Sequence, residues 1–304
     1  MRILRGVVAT LVALVIVLTA ASFAYNTVTS DPNIPVRRLW DGKFVSADGV
    51  LTAYRSWGSK GTPIVLVGGF AEPSFVWERV GPQLARAGHR VYALDLDGFG
   101  YSQRRGPSTL QEWGDQVQEF ARSLGLKHPV VVGHSLGAAV AVEEVRRGVA
   151  SRAVLLDGDA LRGGGPPHVV STALVHSPFF TSAFRVIRNW NWPVRRVLRN
   201  AYGPHGPAID DAEVDRWTDQ FRAKGARQGL ERVAQNGIVG FSPTELQRMK
   251  IDALVIWGSD DKVDAAAEGR ATARDLHAQF VVVPEAGHLS MLERPGLVAS
   301  AIAP

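Results

Sequence analysis

Val130-Val131-Val132-Gly133-His134-Ser135-Leu136-Gly137-Ala138-Ala139 is a short β-type run that breaks into a helix-forming stretch with a G-x-S-x-G at the junction. A serine between strand and helix must take a strained, sharp turn. Glycines two before and two after remove the side chains that would collide with strand and helix there. The hydroxyl of Ser135 is then exposed, and the following helix turns free N–H groups and its positive dipole end toward it, which suits a developing oxyanion. The motif is informative through this context, since the bare pattern is common by chance.

The same strand-then-helix rhythm runs through most of the chain. Phe44 to Ala47 and Val50 to Arg55 flank Asp48-Gly49, a hairpin signal. The runs opening at Pro63, Val91, Val130, Ala153, Ala253 and Phe280 are apolar, as strands buried on both faces are. Helical patterns at Phe75 to Ala87, Leu110 to Leu124, Leu136 to Arg147 and Ala265 to Leu276 separate most of them. Alternation of this kind predicts an α/β fold with a mainly parallel sheet of eight strands. Between Asp157 and Asp252 no convincing strand occurs, and Gly163-Gly164-Gly165-Pro166-Pro167 opens the gap. That segment reads as a helical insertion riding on the sheet. The expected division is 1–30 as a membrane anchor or signal segment, 31–159 with 251–304 as the core, and 160–250 as a helical lid.

A serine hydroxyl is a poor nucleophile near neutral pH and needs a base oriented by a carboxylate. Both occur at the ends of later strands. His288 follows the run Phe280-Val281-Val282-Val283, and Asp260 and Asp261 follow Ala253-Leu254-Val255-Ile256-Trp257. Of the 8 histidines, only His288 combines a strand end, a preceding glycine and an apolar continuation. His134 sits inside the elbow, its ring expected to point away from its neighbour's hydroxyl. The second oxyanion donor is expected from the loop Val67-Gly68-Gly69-Phe70, with the Phe70 amide as partner to that of Leu136. The plainer alternative is that the two glycines only make a tight turn.

Composition narrows the chemistry. The 304 residues are 46% hydrophobic and 21% charged, an ordinary globular balance. With no cysteine there is no thiolate metal site, disulfide or cysteine nucleophile. A net charge of +5 does not indicate a nucleic-acid binder, and a triad of this kind requires neither cofactor nor metal. Between Ala160 and Lys250, 13 Lys or Arg face 7 Asp or Glu, so the lid carries the whole positive excess. Within it Phe184, Ile187, Trp190, Val194, Val197 and Leu198 recur at near-helical spacing. Arg185, Arg188, Arg195, Arg196 and Arg199 fall off that stripe, and a kink is expected at Pro193. The plain expectation is that the stripe covers the cleft and the arginines are solvated. The sharper one is that the arginines also meet anionic lipid.

Arg2 and Arg5 precede an uncharged run, Gly6 to Ala24. At about 1.5 Å per residue it is roughly 28 Å long and nearly spans hydrocarbon. The arginines would hold its N-terminal side in the cytoplasm, leaving the catalytic domain outside as a membrane-anchored protein. Ser22-Phe23-Ala24 also has the small-x-small form of a signal-peptidase site, which would make the product secreted. A buried core helix is the third alternative.

These residues together resemble the α/β-hydrolase superfamily, in its lidded esterase, peptidase and C–C hydrolase branch, over about residues 36 to 304. Leu94-Asp95-Leu96-Asp97-Gly98-Phe99-Gly100-Tyr101-Ser102 looks like that family's D-x-x-G-x-G-x-S segment. Trp257-Gly258-Ser259-Asp260-Asp261 looks like its W-G-x-x-D, and Gly287-His288 followed by Met291-Leu292-Glu293-Arg294-Pro295 is similar to its histidine loop. The register implies Asp261, rather than Asp260, as the acid. One departure stands out: Gly68 occupies the place of the family's usual histidine before the oxyanion residue. A serine at the elbow argues against the dehalogenases and epoxide hydrolases, which use aspartate there. The resemblance implies hydrolysis of a carboxylic ester, or an amide, of a small hydrophobic substrate. C–C bond hydrolysis and cofactor-free haloperoxidase chemistry on the same residues are alternatives. A lidded binding or sensing module is the alternative from another class, although ligand binding alone needs no complete triad.

Overall fold

The computed structural model describes residues 2–161, 168–237 and 240–303. Eight strands form one sheet: β1 (Lys43–Ala47), β2 (Val50–Trp57), β3 (Pro63–Val67), β4 (Arg90–Leu94), β5 (Val130–His134), β6 (Arg152–Leu156), β7 (Ala253–Gly258) and β8 (Gln279–Val283). Their order is β1-β2-β4-β3-β5-β6-β7-β8. β1 pairs antiparallel with β2 through the Asp48-Gly49 turn, where both residues have positive φ as a two-residue hairpin requires. β2 pairs antiparallel with β4, and every pairing from β4 to β8 is parallel.

The inner strands alternate their side chains between two cores. Val65, Val67, Val131, Leu155 and Val255 face Trp113, Val117, Phe120 and Ala138 from helices Leu110–Ser123 and Gly137–Arg146. Ile64, Leu66, Val132, Val154, Leu156 and Ile256 face Leu84, Val298 and Ile302 from helices Gly81–Arg86 and Pro295–Ile302. Two covered faces explain the continuous apolar runs. β8 departs from that expectation: it is an edge strand, and Gln279 and Val282 are exposed. The helix expected over Phe75 to Ala87 is also divided, into a 3-10 turn at Ser74–Trp77 and a helix at Gly81–Arg86. Pro82 has no N–H to donate and so fits only the first turn of a new helix.

Between β6 and β7 the described residues form six α-helices, His168–Val175, Pro178–Asn189, Asn191–Ala201, Asp211–Thr218, Ala226–Asn236 and Pro243–Arg248, and a 3-10 turn at Asp219–Arg222, in the segment expected to form a helical lid. The Gly163 to Pro167 run at its start lies outside the described residues. The lid's amphipathic stretch breaks at Trp190, which is extended, and not at Pro193, which sits in the first turn of the following helix. Nor does the stripe turn inward as a whole. Phe184 and Leu198 are buried, but Ile187, Trp190 and Val197 are exposed. Arg185, expected to be solvated, is buried instead, because Asp31 and the end of the N-terminal helix supply its partners.

That helix runs from Arg2 to Val28, 27 residues or about 40 Å. Its apolar side chains from Val7 to Leu18 are exposed. It is long and apolar enough to cross a membrane by length and composition.

Candidate active site

Ser135 follows β5 directly with φ of +50°, in the left-handed region that a non-glycine residue adopts only under constraint. Its N–H donates to Leu156 of β6, and its carbonyl accepts from Ala138 at the start of the next helix. A Cβ on Gly133 would lie 1.9 Å from the Gly137 carbonyl oxygen, and one on Gly137 would lie 2.7 Å from the Gly68 carbonyl oxygen, so the first glycine lets the turn close and the second lets it seat against the end of β3. The Ser135 side chain is partly exposed at the carboxyl end of the sheet.

His288 lies on the loop after β8 and is 6% exposed. Its Nδ1 is 2.8 Å from Asp261 Oδ2. The other carboxylate oxygen of Asp261 accepts from the Val263 and Asp264 amides at 2.8 and 3.0 Å. Those two bonds aim the acid, whose side chain is shut off from solvent. Asp260 is exposed and turns to the hydroxyl of its neighbour Ser259. The structure therefore brings His288 together with Asp261 and not with Asp260. It does not join Ser135 to His288 by a hydrogen bond: among the described residues the serine hydroxyl has no partner within bonding distance.

The two amides named from sequence are both available. Neither the Phe70 nor the Leu136 N–H is taken up by a backbone partner among the described residues. The Phe70 ring is half exposed and meets the edge of Phe99, which in turn packs on Trp113. Phe99 belongs to the segment after β4, whose Asp95 fixes the loops on either side by accepting from the Ser74 and Tyr101 amides at 2.6 and 2.7 Å. Gly68 and Gly69 have ordinary φ, so they do not serve as turn glycines; the left-handed residue of that loop is Ala71 at +56°.

Two buried acids around the site, Asp157 and Glu72, are not marked by the sequence, and His134 is marked there only as a residue turned away from the hydroxyl. Asp157, at the end of β6, accepts from the Gly258 amide at 2.7 Å and from the Ser290 hydroxyl, tying the acid loop to the histidine loop. Burial pushes its carboxyl up to about 6. Glu72 and His134 form a pair at 2.7 Å. A strand-end aspartate could have been suspected from Asp157's position, whereas nothing local marks Glu72.

The Alpha/beta hydrolase family matches residues 64–301, which cover both the sheet and the residues just described. The chain belongs to that family. The uncharacterised hydrolase YugF of Bacillus subtilis is 27% identical over 278 residues, covering 88% of this chain and 97% of its own. A 2-hydroxy-6-oxo-6-(2'-aminophenyl)hexa-2,4-dienoic acid hydrolase of Metapseudomonas resinovorans is 28% identical over 274 residues, covering 85% and 88%. Among solved structures, a thermophilic esterase from Thermogutta terrifontis superposes with a TM-score of 0.69 at 27% identity, covering 86% of this chain and 96% of that one. The present chain is thus a hydrolase of the α/β fold, with a small molecule as its substrate.

Proposed function

We propose that this α/β-hydrolase is a serine hydrolase that cleaves a carboxylic ester of a hydrophobic substrate through an acyl-enzyme on Ser135. The observation that carries the proposal is the hydrogen bond between His288 and Asp261 at the sheet end where Ser135 holds its strained turn. Asp261 fixes the Nδ1–H tautomer, which leaves Nε2 of His288 free to take the hydroxyl proton as the serine attacks the ester carbonyl. The oxyanion forms beside the Phe70 and Leu136 amides. His288 then gives the proton to the departing alkoxide, and water repeats the sequence to release the acid. Hydrogen bonds of the serine–histidine kind are commonly long in free enzymes and tighten with substrate bound. Exposed Phe70 supports an apolar substrate moiety, since it stands beside the proposed oxyanion donor.

The likeness to the dienoic acid hydrolase favours a second reading, hydrolysis of a C–C bond on the same three residues. Graded p-nitrophenyl esters decide between them: the proposal expects turnover that Ser135→Ala abolishes. No hydrolysis of any ester, with cleavage of a dienoic acid, would favour the second reading.

Residues 1–30 act in this proposal as an uncleaved anchor, 31–159 and 251–304 as the catalytic core, and 160–250 as the lid. Contacts at the proposed cleavage motif support retention. Ser22 is buried against Ser182, with the two hydroxyls 2.6 Å apart, and Asn26 donates to the Pro178 carbonyl at 2.9 Å. A signal segment destined for removal has no need of a polar seat on the mature lid. The catalytic domain then stands outside the cytoplasm, next to the bilayer, with exposed Trp190, Trp192 and Val197 among the lid arginines as a second membrane contact. The intact mass of protein extracted from membranes tests retention; a mature chain beginning after Ala24 would contradict it.

A further inference from the structure

The loop after β3 carries a buried acid with no part in the hydrolytic scheme above. Glu72 is 7% exposed, and its Oε2 accepts from the Gly69 N–H at 2.6 Å and lies 2.7 Å from His134 Nδ1. The other ring nitrogen, His134 Nε2, is 2.7 Å from the carbonyl oxygen of His288. A carbonyl can only accept, so Nε2 carries a proton. The remaining proton lies between Nδ1 and Oε2. The second hydrogen bond that Oε2 accepts, from Gly69, favours a carboxylate facing an imidazolium.

The electrostatics agree with the geometry. Burial alone would raise Glu72 and lower His134, but their attraction and hydrogen bond reverse both. Glu72 stays below the usual glutamate range, and His134 rises to about 9. The other titratable side chains facing the imidazole are Asp157 from the end of β6 and His288 from the loop after β8, whose ring centroid lies 4.9 Å from that of His134.

The glycine pair makes room for this acid. A Cβ on Gly68 would lie 3.1 Å from Glu72 Cβ, and one on Gly69 would lie 3.1 Å from Glu72 Oε2 and 2.9 Å from Ser135 Cβ. The strained Ala71 turns the chain back so that Glu72 folds beneath its own loop. A histidine at 68, the residue the family resemblance leads one to expect, would compete with Glu72 for that space.

We infer that Glu72 and His134 are positioning residues, a buried carboxylate–imidazolium pair that pins the Phe70 loop, the Ser135 elbow and the His288 loop to one another. The inference rests on the serine-hydrolase proposal for its effect on turnover, while the pinning itself is measurable without turnover.

Full-length protein in detergent micelles is compared with Glu72→Gln, His134→Gln and the double variant. On p-nitrophenyl butyrate, Glu72→Gln should lower kcat by about 30- to 300-fold with KM changed less than about threefold, the range expected for a displaced oxyanion donor. The double variant should be no worse than the poorer single one, because the pair acts as a unit. Hydrogen exchange of the Gly69 and Phe70 amides should be about tenfold faster or more in Glu72→Gln, and 15N spectra of the wild type should show both His134 ring nitrogens protonated at pH 7.5. Additive losses, unchanged exchange in a folded Glu72→Gln, or its kcat within about threefold of wild type would overturn the inference. If the wild type turns over no ester, the serine-hydrolase proposal fails, and the exchange and 15N results alone decide the pair. If Glu72→Gln does not fold, the wild-type 15N spectrum decides: a neutral His134 ring at pH 7.5 would overturn the inference.

Discussion

Arg185 Nε and Asp31 Oδ1 lie 2.8 Å apart, joining the lid helix Pro178–Asn189 to the tether that follows the N-terminal helix. The same guanidinium donates to the Asn26 and Thr29 carbonyls, both at 2.8 Å. These lie at the end of the N-terminal helix, where backbone acceptors have no intrahelical donor. The other oxygen of Asp31 takes Arg227 Nε at 2.6 Å, so two lid helices converge on one carboxylate. Burial would raise Asp31, but the two arginines hold it below the usual aspartate range. The inserted helices and the N-terminal helix are held together at this point.

Arg185→Met should therefore destabilise the folded chain. The pair is partly exposed, which discounts the 3–5 kcal/mol typical of a broken buried pair to about 1–3 kcal/mol. Thermal unfolding in detergent should show Tm lower by about 2–5 °C. A Tm within about 1 °C of wild type would mean that the cluster does not clasp the lid.

The two adjacent aspartates after β7 should separate cleanly. Asp261→Asn leaves the shape of the site but favours the wrong histidine tautomer, and kcat should fall by about 10⁴-fold. Asp260→Asn, at an exposed side chain, should keep kcat within about threefold. Steady-state kinetics on a p-nitrophenyl ester checks both.

What the sequence disclosed and what it hid follow the range of the interactions involved. Each inner strand announces itself because both its faces are buried, and the elbow because Ser135, its glycines and its flanking elements are contiguous. Asp261 could be told from Asp260 only by register from Gly258. Glu72 was invisible because its meaning depends on His134, 62 residues away. Arg185 departs from its sequence reading for the same reason: helical periodicity places it on the solvent side, whereas its partners in the N-terminal helix and tether lie more than 150 residues back. Pro193 suggested a break that falls instead at Trp190, since a proline is as well suited to open a helix as to bend one.

His134 and Asp157 each make stability fall with rising pH, in separate windows. His134 binds its proton more tightly folded, at about 9 against an ordinary 6.5, so its contribution is complete below about pH 6.5 and is lost as pH climbs through 9. Asp157, raised by burial from 3.8 to about 6, holds its proton longer in the folded chain, so stability drops between about pH 4 and 6 and is level above. Tm measured across pH 4 to 9.5 should lose the upper slope in His134→Gln and the lower one in Asp157→Asn. A wild-type Tm that rises between pH 6.5 and 9 would contradict the assignment of His134.

The most direct measurement is reaction of the intact protein with a fluorophosphonate, followed by mass spectrometry of the peptide that contains residues 130–146. One adduct is expected, on Ser135, formed at a rate that Asp261→Asn strongly reduces and that Ser135→Ala eliminates. An adduct on another residue, or none at all on protein shown to be folded, would contradict it.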